Sequence, residues 1–217
     1  MSAMILAPGA RRLSEVCVPV SSCARTPASP SHGVVGRPDG DARESTYFLS
    51  VNKNKRSITV DIKHEEGRRI VLDLARTSDV LVENYLPGKL ASMGLGYEDV
   101  KAVNPRLVYC SLTGFGQTGP RASHAAYDVP IAAMGGLLSI TGHPDGPSTK
   151  VCRCPKAQPH EHSRWWLFRQ PGVALVDVLT GLQAHGAILA ALLRRVTTNR
   201  GQHIDCCLLD TQVGALT

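Results

Sequence analysis

Residues 79–84 read Asp-Val-Leu-Val-Glu-Asn, and this stretch decides the fold. Its short apolar centre, rich in β-branched side chains and bounded by polar residues, predicts a buried β-strand. Residues 65–77, directly before it, place Ile70, Val71 and Leu74 at the spacing of one helix face. That spacing predicts an amphipathic helix packed against the strand.

The following sequence repeats the alternation of strand and helix. Short helices are predicted at 89–93 and 97–103, and residues 106–112 (Arg-Leu-Val-Tyr-Cys-Ser-Leu) predict another strand. Strands separated by helices are joined by right-handed crossovers and lie parallel in one sheet. The predicted fold class is therefore α/β, a Rossmann-like parallel sheet with flanking helices.

Other elements extend this pattern in both directions. Residues 57–62 alternate between polar and apolar side chains and predict a strand. Residues 126–140 predict a helix that contains a glycine pair, and residues 177–195 predict a long helix rich in small side chains. The chain then returns as a predicted strand at 203–209.

Composition restricts the classes of function. The chain has 217 residues, a net charge of +6 and 5% aromatic residues. The modest positive charge suits an anionic small molecule, and so few aromatics argue against a stacking platform for single-stranded nucleic acid. Seven cysteines in a chain of this size indicate a reducing compartment. Polar residues interrupt each apolar stretch before ~18 positions, so no membrane span is predicted.

The first 43 residues differ from the rest of the chain. They are rich in proline, serine and alanine and lack a sustained periodicity, so residues 1–43 are predicted to be a disordered leader before a folded domain at 44–217. An arginine- and serine-rich start with few acids resembles a transit peptide and predicts a mitochondrial location. The alternative is a segment without a targeting role, which would leave the protein in the cytoplasm.

Asp177 is the first candidate for a chemical role. It follows an apolar run at 173–176 and precedes Thr180-Gly181-Leu182, which reads as the first turn of the long helix. A carboxylate there is stabilised by the positive end of the helix dipole, which predicts an ionised side chain at neutral pH. Such a group can act as an anionic nucleophile. It can equally be an N-cap that only satisfies backbone donors, and caps are common.

Two glycine-containing segments follow the predicted strands. Residues 83–88 (Glu-Asn-Tyr-Leu-Pro-Gly) end one strand, and residues 113–120 (Thr-Gly-Phe-Gly-Gln-Thr-Gly-Pro) end the next. Ligands of open α/β sheets gather at the carboxyl ends of the strands, and glycine permits close backbone approach. Each segment can also be a tight turn without a ligand.

Residues 151–170 do not fit the surrounding pattern. They contain Cys152 and Cys154, then His160 and His162, and both tryptophans of the chain. These side chains are zinc ligands in principle, but the spacing matches no specific zinc motif. The other interpretation is an inserted loop, and no metal site is predicted.

Four blocks of sequence in this order resemble the family III CoA-transferases of the CaiB/BaiF type. They lie at 47–58, 82–97 and 104–116, and at 176–181 with the turn at 200–202. The likeness covers residues 44–150 and 171–217, and the blocks in combination are far more specific than any single motif.

The resemblance assigns a role to several residues. Asp177 would be the nucleophile that forms an aspartyl-CoA thioester, and Ser92 stands where a relative has arginine. Residues expected to contact CoA lie at three places: the end of the strand at 79–84, the turn after the strand at 106–112, and a basic run near residue 55. They are Asn84, Tyr85, Thr113, Gly114, Lys53, Lys55 and Arg56. The basic run has the alternative of being an ordinary solvated edge.

The resemblance also implies substrates and partners. The CoA thioester would be a substrate, with no permanently bound cofactor; the donor would be succinyl-CoA and the acceptor a dicarboxylate such as glutarate. A homodimer, or pairing with a full-length subunit, is expected, with neither nucleic acid nor membrane as a partner. A sister branch of acyl-CoA racemases needs a histidine directly before an aspartate. Tyr127 occupies that position before Asp128, with His124 nearby as an expected surface residue, which favours the transferase.

Three departures from the family pattern concern activity. The leader replaces the family's first strand and helix, residues 151–170 interrupt the approach to Asp177, and the chain stops at Thr217. The fold is expected to be incomplete relative to the family, and residues 1–217 alone are expected not to transfer CoA efficiently. The alternative function is a catalytically impaired CoA-binding or interaction module.

Overall fold

The structure is a computed structural model that describes residues 55–141, 145–146 and 174–217, together with four strands nearer the N-terminus. Those strands are β1 (Ser2–Leu6), β2 (Glu15–Pro19), β3 (Val34–Val35) and β4 (Glu44–Ser45). Lys53 and the segment 151–170 lie outside the described residues, as does most of the resembling block at 47–58.

The remaining elements follow the predicted alternation. Their bounds in chain order are β5 (Lys55–Ser57), α1 (Glu65–Arg76), β6 (Val80–Glu83), a 3₁₀ turn (Ala91–Met93), α2 (Tyr97–Val103), β7 (Val108–Thr113), α3 (Asp128–Met134), a 3₁₀ turn (Leu137–Ser139), α4 (Leu175–Thr198), β8 (His203–Cys207) and α5 (Leu208–Leu216). The strands β6, β7 and β8 are parallel, and helices flank them. The predicted α/β class is therefore confirmed.

The chain divides into two compact units. The first contains Met1–Asn84, Gly88–Tyr109 and Arg194–His203, and the second contains Tyr85–Pro87, Cys110–Leu193 and Ile204–Thr217. In the sheet the strand order is β5-β2-β1-β6-β7-β8, and β3 pairs with β4 separately. Strand β1 runs antiparallel to β2 and β6, whereas β2 pairs with β5 in parallel, so the sheet is mixed outside the parallel strands β6, β7 and β8.

Asn104 joins the end of α1 to the turn before β7 within the first unit. Its amide Nδ2 donates to the carbonyl oxygens of Ala75 at 3.0 Å and Ser78 at 2.9 Å, at the C-terminal end of α1. Its Oδ1 accepts the N–H of Arg106 at 3.1 Å. The side chain thus satisfies carbonyls that a helix end leaves without partners. The Asn-Pro-Arg part of the third block therefore has a structural explanation.

The turn after α4 lies against the start of β7 in the same unit. The N–H of Gly201 donates to the carbonyl of Pro105 at 2.9 Å, and a Cβ at Gly201 would overlap the carbonyl oxygen of Leu107. Only glycine at position 201 leaves room for this approach of two backbones.

Arg195, near the end of α4, donates to Asp79 at 2.7 Å in a largely buried ion pair.

The strand predicted at 57–62 is wrong. Strand β5 ends at Ser57, and residues 58–61 have no regular secondary structure. The alternation still describes burial, because Val60 and Ile62 are buried whereas Thr59 and Asp61 are exposed. Alternating burial requires an extended chain over a core, but it does not require a hydrogen-bonded neighbour.

The C-terminal prediction is wrong in one detail. Strand β8 ends at Cys207, and α5 begins at once with Leu208, so residues 208 and 209 are helical. Apolar residues at a strand-to-helix junction do not show where the strand ends, because they are buried in a strand and in a helix alike.

Three strands lie within the range predicted to be a disordered leader. The structure differs from the prediction at β1, β2 and β3, and the other residues of 1–43 lie outside the description. The run Glu-Val-Cys-Val-Pro of β2 alternates over only five residues, too short for the sustained periodicity that identifies a strand with certainty. The boundary at 43/44 and the mitochondrial location stay predictions.

The sequence predicted no apolar segment long enough to span a membrane, and helix α4 is an exception to that prediction. With 24 residues it is long and apolar enough, by length and composition, to cross a membrane, because Gln183 and His185 do not offset its leucines and alanines. The core helix of a water-soluble protein passes the same test. The prediction of a protein without a membrane partner therefore stays a prediction.

We expect Gly201→Ala to lower the free energy of unfolding by more than about 2 kcal/mol, because the added methyl group must displace the Leu107 backbone. Urea unfolding of the full chain measures this. The matched control is Gly186→Ala in α4, where a Cβ meets nothing within 4 Å. The control should gain about 0.5–1 kcal/mol from helix propensity. Equal stability of Gly201→Ala and wild type would show that the two backbones can separate.

We expect Asn104→Asp to lower the free energy of unfolding by at least about 2 kcal/mol. The change keeps the shape but replaces two hydrogen-bond donors by an anionic oxygen that faces the Ala75 and Ser78 carbonyls. Asn199→Asp is the matched control. Its Oδ1 accepts from Arg106, an interaction that a carboxylate keeps, so its stability should change by less than about 0.5 kcal/mol. Equal losses in both variants would contradict the role of the Asn104 amide.

Candidate functional site

Asp128 is a buried carboxylate that caps the start of α4. It is the first residue of α3 and is 8% exposed. Its Oδ1 accepts the backbone N–H of Val176 at 2.7 Å and that of Asp177 at 3.3 Å. The first N–H groups of a helix have no partner within the helix, and an anion there is stabilised by the dipole. A side chain 48 residues away thus performs the capping of α4.

Asp177 lies within the first turn of α4 rather than at a strand-to-helix junction. The helix begins at Leu175, so the predicted start at residue 177 is two residues late, and the N-cap interpretation of Asp177 is wrong. Because Asp128 supplies the acceptor from outside, the helix can begin inside the apolar run. No described residue donates a hydrogen bond to the Asp177 carboxylate.

The environment raises the pKa of Asp177 above the ordinary aspartate value. Partial burial is the larger cause, and the negative charge of Asp128 is the second. The sequence predicted a side chain that the helix dipole keeps ionised at neutral pH, and it did not include these two opposing effects. The first N–H groups are bound to Asp128, whose charge acts against the dipole and adds to the effect of burial. A more basic carboxylate is a better nucleophile once it is ionised.

An apolar cluster fixes the backbone around Asp177. We name it the helix-start cluster, and its buried members are Ile131, Ala132, Leu137, Val176 and Leu208, with Phe115, Ala126, Leu138, Leu175 and Leu209 packed against them. It holds together α3, the first turns of α4 and α5, and the turn after β7. All of these segments belong to the second unit.

Thr113 is the last residue of β7 and Gly114 is the first residue of the turn that follows; both are predicted CoA contacts. The hydroxyl of Thr113 accepts the N–H of Gly116 at 3.0 Å. The carbonyl of Gly114 accepts the N–H of Leu209 at 3.2 Å, and a Cβ at Gly114 would overlap that of Ala126. The structure therefore brings this turn to the same cluster as the start of α4. Both residues have a structural role, and their contact with CoA stays a prediction.

Asn84 and Tyr85 follow β6, as predicted, at the boundary of the two units. Asn84 ends a segment of the first unit, and Tyr85 begins one of the second. Among the residues that the structure describes, the Oδ1 of Asn84 is buried without a hydrogen-bond partner. Buried amide oxygens are nearly always paired, so this atom is available to a donor on a ligand.

The basic run is only partly described. Lys55 is half-buried and Arg56 is exposed, and both belong to the first unit, whereas Asp177 belongs to the second. The hydroxyl of Ser92 donates to the carbonyl of Lys89 at 2.8 Å, which gives this residue a local role in the 3₁₀ turn. The structure provides no test of CoA binding by these side chains.

Sequence reasoning missed two residues. The role of Asp128 was not predicted, because its capping of α4 depends on tertiary structure. Gln117, in the loop after β7, has its N–H bound by Asp205 at 2.8 Å, and its Nε2 is buried without a partner in the described part of the chain. A polar residue within a glycine-rich loop was the only signal for Gln117. His124 is exposed, as expected.

Metal ligation finds no support where the structure can be described. In residues 55–141, 145–146 and 174–217, no three His, Cys, Asp or Glu side chains are grouped as a metal site. The zinc interpretation of Cys152, Cys154, His160 and His162 concerns residues outside that description.

Comparison with known proteins identifies the family. The model of the CoA-transferase family III matches residues 30–217. The chain is 51% identical to a mouse succinyl-CoA:glutarate CoA-transferase and 47% identical to the human one, over 80% of this chain and 35% of each relative. A CAIB/BAIF family protein from Brucella suis superposes with a TM-score of 0.70 at 42% identity, over 85% of this chain and 43% of that one.

The chain spans about a third of the length of these curated relatives. The match extends from residue 30, just before β3, to the last residue of the sequence, and it includes α3, α4 and the turn after β7. The residues that surround Asp177 thus lie inside the shared region. The chain belongs to the CoA-transferase family III.

Proposed function

We propose that the protein transfers CoA from succinyl-CoA to a dicarboxylate such as glutarate through a covalent intermediate on Asp177. The supporting observation is the state of this carboxylate. It lies in the first turn of α4, its pKa is raised, and the neighbouring backbone donors are bound to Asp128. The substrates are those in the names of relatives at about 50% identity.

The proposed reaction starts with attack of an Asp177 carboxylate oxygen on the thioester carbon of succinyl-CoA. The carbon–sulfur bond breaks, CoA leaves as the thiolate, and a mixed anhydride remains on Asp177. The thiolate then attacks the aspartyl carbonyl carbon, which releases succinate and leaves an aspartyl-CoA thioester. Dividing one difficult exchange into such steps is the advantage of a covalent nucleophile.

The second half of the reaction repeats these steps with the acceptor. A glutarate carboxylate attacks the aspartyl-CoA thioester, and CoA leaves again as the thiolate. The thiolate attacks the glutaryl carbonyl of the new anhydride, which gives glutaryl-CoA and restores the Asp177 carboxylate. Charge and atoms balance without an oxidant, a reductant or a resident cofactor.

CoA contacts are proposed from the resemblance and from one structural observation. The buried, unpartnered Oδ1 of Asn84 supports the assignment of this residue as a ligand contact. Tyr85, Thr113 and Gly114 are proposed to contact the same molecule, and the basic side chains Lys53, Lys55 and Arg56 to attract its phosphates. A second subunit is proposed to complete the assembly.

The test follows covalent loading of Asp177, which precedes and does not require complete turnover. We expect incubation of the chain with succinyl-CoA to add one CoA, with loss of water, to the intact-protein mass. Peptide mapping after hydroxylamine treatment should give a hydroxamate at Asp177. Asp177→Asn should abolish both signals because an amide cannot form the anhydride. Added glutarate should remove the CoA from the protein and yield glutaryl-CoA.

The matched control is Asp210→Asn, which changes another aspartate in the first turn of a helix. It should load like the wild type. Loading that persists in Asp177→Asn, or a hydroxamate at a different residue, would contradict the proposed nucleophile. Loading at Asp177 without release of glutaryl-CoA would instead favour the impaired CoA-binding module.

A further inference from the structure

We propose that Asp128 is a positioning residue for the nucleophile: it fixes the first turn of α4 and sets the charge around Asp177. This inference rests on the proposed function, and it adds a residue to which the sequence assigned no role in the transfer. Asp128 acts through Asp177 and does not itself contact a substrate in this proposal.

One oxygen of Asp128 accepts two consecutive N–H groups, and one of them is the N–H of Asp177. Val176, whose N–H donates one of these bonds, has a fully buried side chain in the helix-start cluster, and so has Ile131 on α3. The first turn of α4 is thus held by hydrogen bonds on one side and by packing on the other. Its backbone has little freedom to move the nucleophile.

The two carboxylates have different roles, since Asp128 caps the helix and Asp177 is the proposed nucleophile. If Asp177 were its own cap, its oxygens would be bound to backbone donors, and their lone pairs would be less available for attack. Asp128 binds those donors instead. No described residue donates a hydrogen bond to the Asp177 carboxylate, so its oxygens keep their nucleophilicity.

The negative charge of Asp128 raises the pKa of Asp177, and only partial burial has a larger effect on it. The other titratable or charged groups on the segments of the helix-start cluster are Arg121, His124, Tyr127, His185, Cys207 and Asp210. Arg121 and His124 contact the ring of Phe115, and Asp210 is exposed.

The repulsion between the two carboxylates has a chemical consequence. When Asp177 attacks the thioester, its negative charge passes to the departing thiolate, and Asp177 becomes a neutral anhydride or thioester. The unfavourable interaction with Asp128 disappears at that point. The charge of Asp128 therefore favours the covalent state of Asp177 over the resting carboxylate.

The test is Asp128→Asn in the full chain, because asparagine keeps an oxygen acceptor for both N–H groups but removes the charge. The pKa of Asp177 should fall, since one cause of its elevation is gone. Loading with CoA requires the ionised form, so in the wild type it is lost as the pH falls through this pKa. In Asp128→Asn that loss should occur at lower pH, and the loading rate at neutral pH should decrease about tenfold.

A second measurement does not depend on activity. The side-chain carboxyl of Asp177 is titrated by ¹³C NMR and assigned by its absence in Asp177→Asn. We expect a lower pKa in Asp128→Asn and an unchanged pKa in the control Asp210→Asn. An Asp177 pKa that does not respond to Asp128→Asn would overturn the inference. The expected NMR shift without any CoA loading of the wild type would support the electrostatic effect of Asp128 on Asp177 and contradict the proposed function.

Asp128→Glu keeps the experiment decisive if Asp128→Asn does not fold. Glutamate retains the negative charge, so the pKa of Asp177 should stay above the ordinary aspartate value and the acid limit of loading should stay near that of the wild type. An Asp177 pKa that falls to the ordinary aspartate value in Asp128→Glu would show that retaining the charge does not keep the pKa raised, and would contradict the proposed effect of that charge.

Discussion

The two hydrogen bonds from the start of α4 to Asp128 are the constraint on which the second unit depends. A buried carboxylate is costly unless its lone pairs are satisfied, and a helix start is costly unless its N–H groups are. Here the first N–H groups of α4 satisfy the buried carboxylate of Asp128, and that carboxylate satisfies the N–H groups. The pairing sets the first turn of α4 at Leu175, places Val176 in the helix-start cluster and brings Asp177 beside a second negative charge.

The fold was predictable where local periodicity and burial coincide. Helix α1, strand β6, helix α2 and strand β7 were predicted because apolar side chains recur there at the spacing of the element itself. The strand expected at 57–62 failed because alternation reports which side chains are buried, and not whether the backbone has a hydrogen-bonded neighbour. The start of α4 was misplaced because its cap is 48 residues distant.

The sequence proposes Asp177 from the apolar run and the family likeness, and its role stays a prediction. Its electrostatics could not be predicted, because the raised pKa depends on partial burial and, second, on the charge of Asp128. Gly114 illustrates a further limit. A glycine in a loop is required equally by a ligand that approaches the backbone and by a neighbour such as Ala126, and the sequence records only the requirement. At Gly114 the structure shows the neighbour, because a Cβ there would overlap that of Ala126.

The pairing of Asp128 with Asp177 would allow the proposed nucleophile to be both fixed and reactive. A nucleophile needs a rigid backbone, but hydrogen bonds to its own oxygens would lower its basicity. Anchoring through the N–H of Asp177 avoids this conflict, because the bond holds the main chain and leaves the side chain unbound among the described residues. A carboxylate partner is suited to the task, since it binds N–H groups strongly and also repels the charge that the reaction removes.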